Sequence, residues 1–210
     1  MPRGRLVAIA SLALGALIAP ALAHGSFPNW SAPYSSKSGS DCVSSAWVDP
    51  VTMVFEGDEA HAPNVARAFG RHLGWGNQSG SAQRLYVKES AVPSYQCKGM
   101  DEQRANGCGT CTRTHARLWR IPASSGANKK VAATPHHEDW VWYCGHAVDA
   151  NGSNGSGFDK GRHAVARGFE LNGHSRQNHN WGNTRNFKQC DGDWAGSNGV
   201  GVSIGMGHLH

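Results

Sequence analysis

After residue 23 the sequence has no apolar run long enough to cross a bilayer, so no membrane helix is expected in the rest of the chain. Charge is sparse and unclustered. Twenty Lys and Arg against fifteen Asp and Glu leave a net +5 spread along 210 residues. No basic block of the kind that grips phosphate backbones is present, and no nucleic-acid partner is expected. The G-x-S-x-G pattern of a serine hydrolase is missing. Gly155-Ser156-Gly157 lies in a Gly/Asn/Ser loop, without the strand–turn–helix setting that presents a nucleophile. HExxH, a metal-bearing finger and an EF-hand calcium loop are missing too.

What is there begins with MPRGRLVAIASLALGALIAPALAH. Arg3 and Arg5 precede an apolar stretch from Leu6 to Ile18, and Ala21-Leu22-Ala23 is a small-x-small cleavage site. These features predict a secretory leader over 1–23 and a secreted location, extracellular or periplasmic. The remainder is expected as a Ser/Gly/Pro-rich arm over 24–45 and one domain over 46–210 with a Gly-rich tail. The six cysteines, Cys42, Cys97, Cys108, Cys111, Cys144 and Cys190, are an even number in an exported chain. They predict a disulfide framework of open pairing and argue against a cysteine nucleophile. Cys108-Gly109-Thr110-Cys111 lacks the strand-then-helix setting of a redox CxxC. As half of a zinc site it needs further ligands, of which His115 could be one.

Periodicity places a strand region from Ala46 to Glu56 and a helix from Ala60 to Leu73, with Pro63 in its first turn and Gly74 at its exit. Leu85–Val87 reads as a strand, 90–112 as a long loop, and Thr114–Ile121 as a strand whose hairpin partner is Lys130–Thr134. A second helix is expected over Lys160–Asn172 and a last strand near Val200–Ile204. VARAF at 65–69 and VARGF at 165–169 match, and each is followed by a glycine stop, Gly74 or Gly173; one reading is an internal duplication. The expected fold class is α+β: a mixed or antiparallel sheet with two packed helices, stabilised by disulfides.

Chemistry-bearing residues concentrate between Val131 and His174. His136 and His137 are adjacent: on a strand they point to opposite faces and one site cannot easily use both, whereas in a turn both could converge. His137, His146 and Asp159 or His163 form a candidate set for zinc or another borderline cation. His24, first in the processed chain, offers an amine and an imidazole to a metal, zinc or copper. His137 with Glu138 or Asp139 is a candidate acid–base pair, since histidine titrates near neutral pH. The competing reading makes these ordinary surface histidines and acidic turn residues. Eight tryptophans are many for the length, and Trp140 and Trp142 share a strand face. Exposed, they suit stacking on sugar rings, which points to a carbohydrate or cell-envelope component as partner.

DPVTMVFEG at 49–57, Gly74-Trp75, RLYV at 84–87, THARLWR at 114–120, HHED at 136–139 and GHAVD at 145–149 together resemble the LssY C-terminal-like domain over roughly 47–173. That resemblance implies a bacterial module often attached to a phosphatase-type membrane protein. It carries over no catalytic residue, and the cysteine-bearing loop and Gly-rich tail depart from it. His24-Gly25 at a processed terminus is similar to the start of a lytic polysaccharide monooxygenase. There a copper brace would pair His24 with His136, His137 or His146, with Phe187 or Tyr143 near an axial position. The sequence thus predicts a disulfide-stapled secreted binding or envelope-associated module. Its alternatives are a metal-dependent hydrolase using the His/Asp cluster and a copper-dependent monooxygenase.

Overall fold

The computed structural model describes residues 34–38, 47–78, 83–87, 97–107, 110–121, 129–143, 145–149, 156–181, 187–188 and 194–207. The leader, His24 and most of the arm lie outside these residues, as do Cys42, Cys108, Cys144 and Cys190. In chain order the strands and helices are β1 (Tyr34–Ser38), β2 (Trp47–Pro50), β3 (Met53–Glu56), α1 (Ala62–Leu73), β4 (Gly76–Asn77), β5 (Gln83–Val87), β6 (Cys97–Gly99), β7 (Glu102–Asn106), β8 (Arg113–Arg120), β9 (Lys130–Val141), β10 (Gly145–Val148), α2 (Gly157–Glu170), β11 (Arg176–Asn180), β12 (Phe187–Lys188), β13 (Trp194–Ala195) and β14 (Val200–Gly205).

The main sheet runs β11-β14-β3-β9-β8-β7-β4, with β10 also on β9. It is mixed, because β14 and β3 are parallel while the other described pairs are antiparallel. A second sheet has the order β2-β1-β5-β6. The single strand region expected from Ala46 to Glu56 is therefore two strands in two sheets, separated at Val51-Thr52. The long loop expected over 90–112 contains β6 and β7. Its strand content was illegible because Glu102-Gln103-Arg104 carries no apolar alternation; β7 is held by its pairing to β8.

Both helices form where the apolar spacing puts them. In α1, Val65, Ala66 and Phe69 make one buried stripe, and Gly74 ends the helix with φ 69°, a left-handed conformation that glycine adopts without penalty. In α2, Ser156 begins the helix and its backbone N–H donates to Asp159 Oδ2 at 3.4 Å. The matching pentapeptides bury matching residues: Val165, Ala166 and Phe169 enter the same core as Val65, Ala66 and Phe69. Phe55, Phe69 and Phe169 meet there with ring centroids 5.0–5.7 Å apart.

The fold class needs one correction. It is a mixed α+β fold with two helices, but no disulfide joins two described residues. Cys111, the one cysteine whose side chain is described, carries no free thiol. Among the described residues the two helices and β3, β8, β9 and β14 bury one apolar core against one another. Among the described residues no helix is long and apolar enough to cross a membrane.

Candidate metal centre

β8 and β9 are the longest paired strands, and their register decides the site. Pairs run from Arg120↔Val131 to Arg113↔Glu138, so His115 lies opposite His136. Side chains two apart on a strand share a face, so Glu138 joins His136 on that face. The three functional groups converge. His115 Nε2 is 2.5 Å from His136 Nε2 and 3.0 Å from Glu138 Oε1, and His136 Nε2 is 2.9 Å from the same oxygen. All three residues are buried, with 0, 0 and 5 % exposure.

Helix α2 packs against the β9 backbone beside them. A Cβ on Gly161 would stand 2.5 Å from His136 N and Cα, and one on Gly157 would stand 2.3 Å from the His137 carbonyl oxygen. Glycine at both positions lets helix backbone approach strand backbone. The Phe158 ring then lies 5.2 Å from the His136 ring.

Each ligand candidate has an outer partner. His136 Nδ1–H donates to the Thr134 carbonyl at 2.9 Å. Glu138 Oε2 accepts from Arg113, whose Nε is 2.9 Å away. Gln103 Nε2 lies 2.9 Å from His115 Nδ1 and 3.0 Å from Gln78 Oε1, while Gln103 Oε1 is buried with no hydrogen-bond partner. Burial pushes the Glu138 carboxyl up, but the facing His136 charge and the hydrogen bonds of both imidazoles outweigh it and hold the group ionised well below the usual carboxylate range. Burial and then the His136 charge hold His115 well below its ordinary value of 6.5, against the pull of Glu138.

The proton count at the centre is unusual. In the neutral form of His136, the Nδ1–H bond to the Thr134 carbonyl leaves Nε2 bare. That lone pair faces a second imidazole nitrogen and an ionised carboxylate oxygen. One proton relieves one edge of this triangle; a metal cation relieves all three. Donors bound at about 2.0–2.1 Å to tetrahedral zinc stand roughly 3.3 Å apart, so the two edges to Glu138 need to open by about 0.3–0.4 Å and the His115–His136 edge by about 0.8 Å.

His137 points the other way, into a separate cluster with Asp139 and Asp149. Its Nδ1–H donates to Asp149 Oδ1 at 2.9 Å, Lys160 Nζ donates to Asp149 Oδ2 at 2.6 Å, and the Thr112 hydroxyl donates to Asp139 at 2.6 Å. Burial pushes the Asp149 carboxyl up, and the hydrogen bonds of Lys160 and His137 more than reverse it. The other expected ligands are committed elsewhere. His146 Nε2–H donates to the Cys111 carbonyl at 3.2 Å and its ring stands against Trp140. Asp159 is ion-paired with Arg162 at 2.8 Å and accepts from Ser197 and the Asn198 amide. His163 is exposed on α2. His24 and the Phe187 side chain fall outside the described set, and Tyr143 is 56 % exposed beside Trp142.

Sequence reasoning put the metal set on His137, which the structure places in the second cluster, with Asp139 and Asp149. It named His115 only as a possible partner of the Cys108–Cys111 pair, and it left out Arg113, Gln103 and Asp149. The missing signal was hairpin register: His115 and His136 are equidistant from the turn between β8 and β9, as are Arg113 and Glu138. No family model, curated protein or solved structure matches the chain. The geometry therefore carries the functional reading.

Proposed function

We propose that the chain is a metal-binding domain that holds one divalent transition-metal ion between His115, His136 and Glu138. One observation carries this: two imidazole nitrogens and a carboxylate oxygen of three buried residues meet within 3.0 Å of one another. Two nitrogens and one oxygen suit zinc and its first-row neighbours. When bound, such an ion supplies Lewis-acid chemistry to an oxygen at its remaining position. The protein's own groups do the arranging. Arg113 occupies Glu138 Oε2 and leaves Oε1 as donor, and the Thr134 carbonyl fixes the His136 tautomer that exposes Nε2.

Metal-dependent hydrolysis is the reaction class this donor set favours, because closed structural sites use four protein donors and hydrolytic ones use three. The leader-like opening supports a secreted domain, extracellular or periplasmic. Trp140 and Trp142, 42 and 83 % exposed on the β9–β10 hairpin, support a carbohydrate or envelope component as partner. Kinship with the LssY C-terminal-like domain is a proposal of the same standing, carried by the order of motifs.

The test is metal content. Protein equilibrated with Zn(II) or Co(II) and freed of excess is expected to retain one equivalent. His115→Ala and His136→Ala should lose it, and His137→Ala should keep it. Loss in His137→Ala alone would move the centre to the outer cluster. No stoichiometric metal in the parent protein would end the reading.

A further inference from the structure

Gln103 sits on β7 next to the centre without touching the triangle. Its amide nitrogen lies 2.9 Å from His115 Nδ1, and its amide oxygen is buried and partnerless. Turning the amide about its last bond exchanges the two ends, so which end faces His115 is set by the proton on the ring. The two orientations select different tautomers. With the NH2 group toward His115, Nδ1 must accept and the ring proton sits on Nε2, inside the triangle. With the oxygen toward His115, Nδ1–H donates to Gln103 and Nε2 is bare. Only the second state leaves a lone pair for a cation. On the other ligand, the Thr134 carbonyl already imposes the equivalent state on His136.

We propose that Gln103 is the positioning residue of the metal centre, its amide oxygen accepting from His115 Nδ1–H and so presenting Nε2 to the metal. This rests on the metal reading of His115, His136 and Glu138. Gln78 completes the relay. It lies 3.0 Å from Gln103, is only half-buried, and its own amide turns to donate to the reoriented Gln103 oxygen. The arrangement makes loading a concerted change: the proton leaves His115 Nε2, the δ nitrogen gains one, and the amide pair reverses. Outer partners of metal-bound histidines typically change metal affinity 10–100-fold.

Two measurements test this. In the first, two-bond 15N–1H spectra of the intact protein assign the His115 tautomer with and without Zn(II), with no substitution needed. The loaded protein is expected to carry the proton on Nδ1. In the second, Zn(II) affinity is measured by chelator competition, with thermal melts confirming folded protein. Gln103→Leu should weaken binding by about 10–100-fold at unchanged stoichiometry, and Gln103→Glu, which keeps an acceptor, should restore or exceed parent affinity. A loaded protein with the proton on His115 Nε2, or a folded Gln103→Leu protein with parent affinity, overturns the role of Gln103 and leaves the metal centre standing. A parent protein that takes up no metal overturns both.

Discussion

Glu138 is where burial and charge meet most directly. Its carboxylate is ionised inside the protein because Arg113 holds one oxygen and two imidazoles face the other. Its folded value is depressed, so its stabilising contribution is present above the ordinary 4.5 and is lost as pH falls through the lower folded value. His115 is also depressed, below 6.5, here because the neutral ring is preferred in the buried site. The unfolded chain therefore binds the His115 proton first on acidification. Metal-free protein is expected to lose stability in two stages, one beginning near 6.5 and one near 4.5. Urea unfolding across this range checks it. His115→Gln should flatten the upper stage and shrink the lower one, which His136 still supports. A stability that does not change between about pH 7 and pH 5 would contradict the neutral, buried His115.

At the level of elements, α2 is both a core helix and the cover over the β9 backbone. Phe169 and Val165 anchor it in the core, while Gly157 and Gly161 lie against the β9 backbone. Gly161→Ala would place a methyl 2.5 Å from His136 N and Cα, atoms that cannot swing aside. Helix propensity alone would favour the alanine, by roughly 1 kcal/mol. Overpacking against strand backbone costs about 1–3 kcal/mol and should win. The variant is expected to be less stable in urea and to bind metal more weakly, since His136 moves with its strand. An exposed helical control, Ala164→Gly, should cost only its propensity and leave metal binding intact. A Gly161→Ala protein that gains stability would show that α2 does not press on β9.

For the molecule as a whole, the metal and the fold are coupled. The candidate ligands come from β8 and β9, and α2 closes over them, so a bound ion joins parts that unfolding separates. Binding only the folded state at a free concentration 100 times the dissociation constant adds about 2.7 kcal/mol. Thermal unfolding with saturating Zn(II) should shift up by several degrees, and a chelator should reverse the shift. His136→Ala should show no shift. A metal-induced rise that persists in that variant would place the stabilising ion elsewhere.

The two helices, the stop of α1 at Gly74 and the α+β class were legible because 3.6-residue periodicity, Pro63, Gly74 and the VARAF and VARGF stripes are local properties of the chain, whereas α2 starts three residues before the expected Lys160 and ends two before Asn172. The β8–β9 hairpin was legible as two apolar segments, but not as a register. The separation of His136 from His137 followed from strand alternation alone. What brought His115, His136 and Glu138 to one point was cross-strand pairing, and what buried them was the approach of α2 through Gly157 and Gly161. The tertiary structure also put Ala46–Glu56 into two sheets and made β7 a strand despite its polar sequence. The physical reason is the same throughout. Spacing along a chain sets which face a side chain takes, while the partner it meets there depends on hydrogen-bond registers and backbone contacts between segments far apart in sequence.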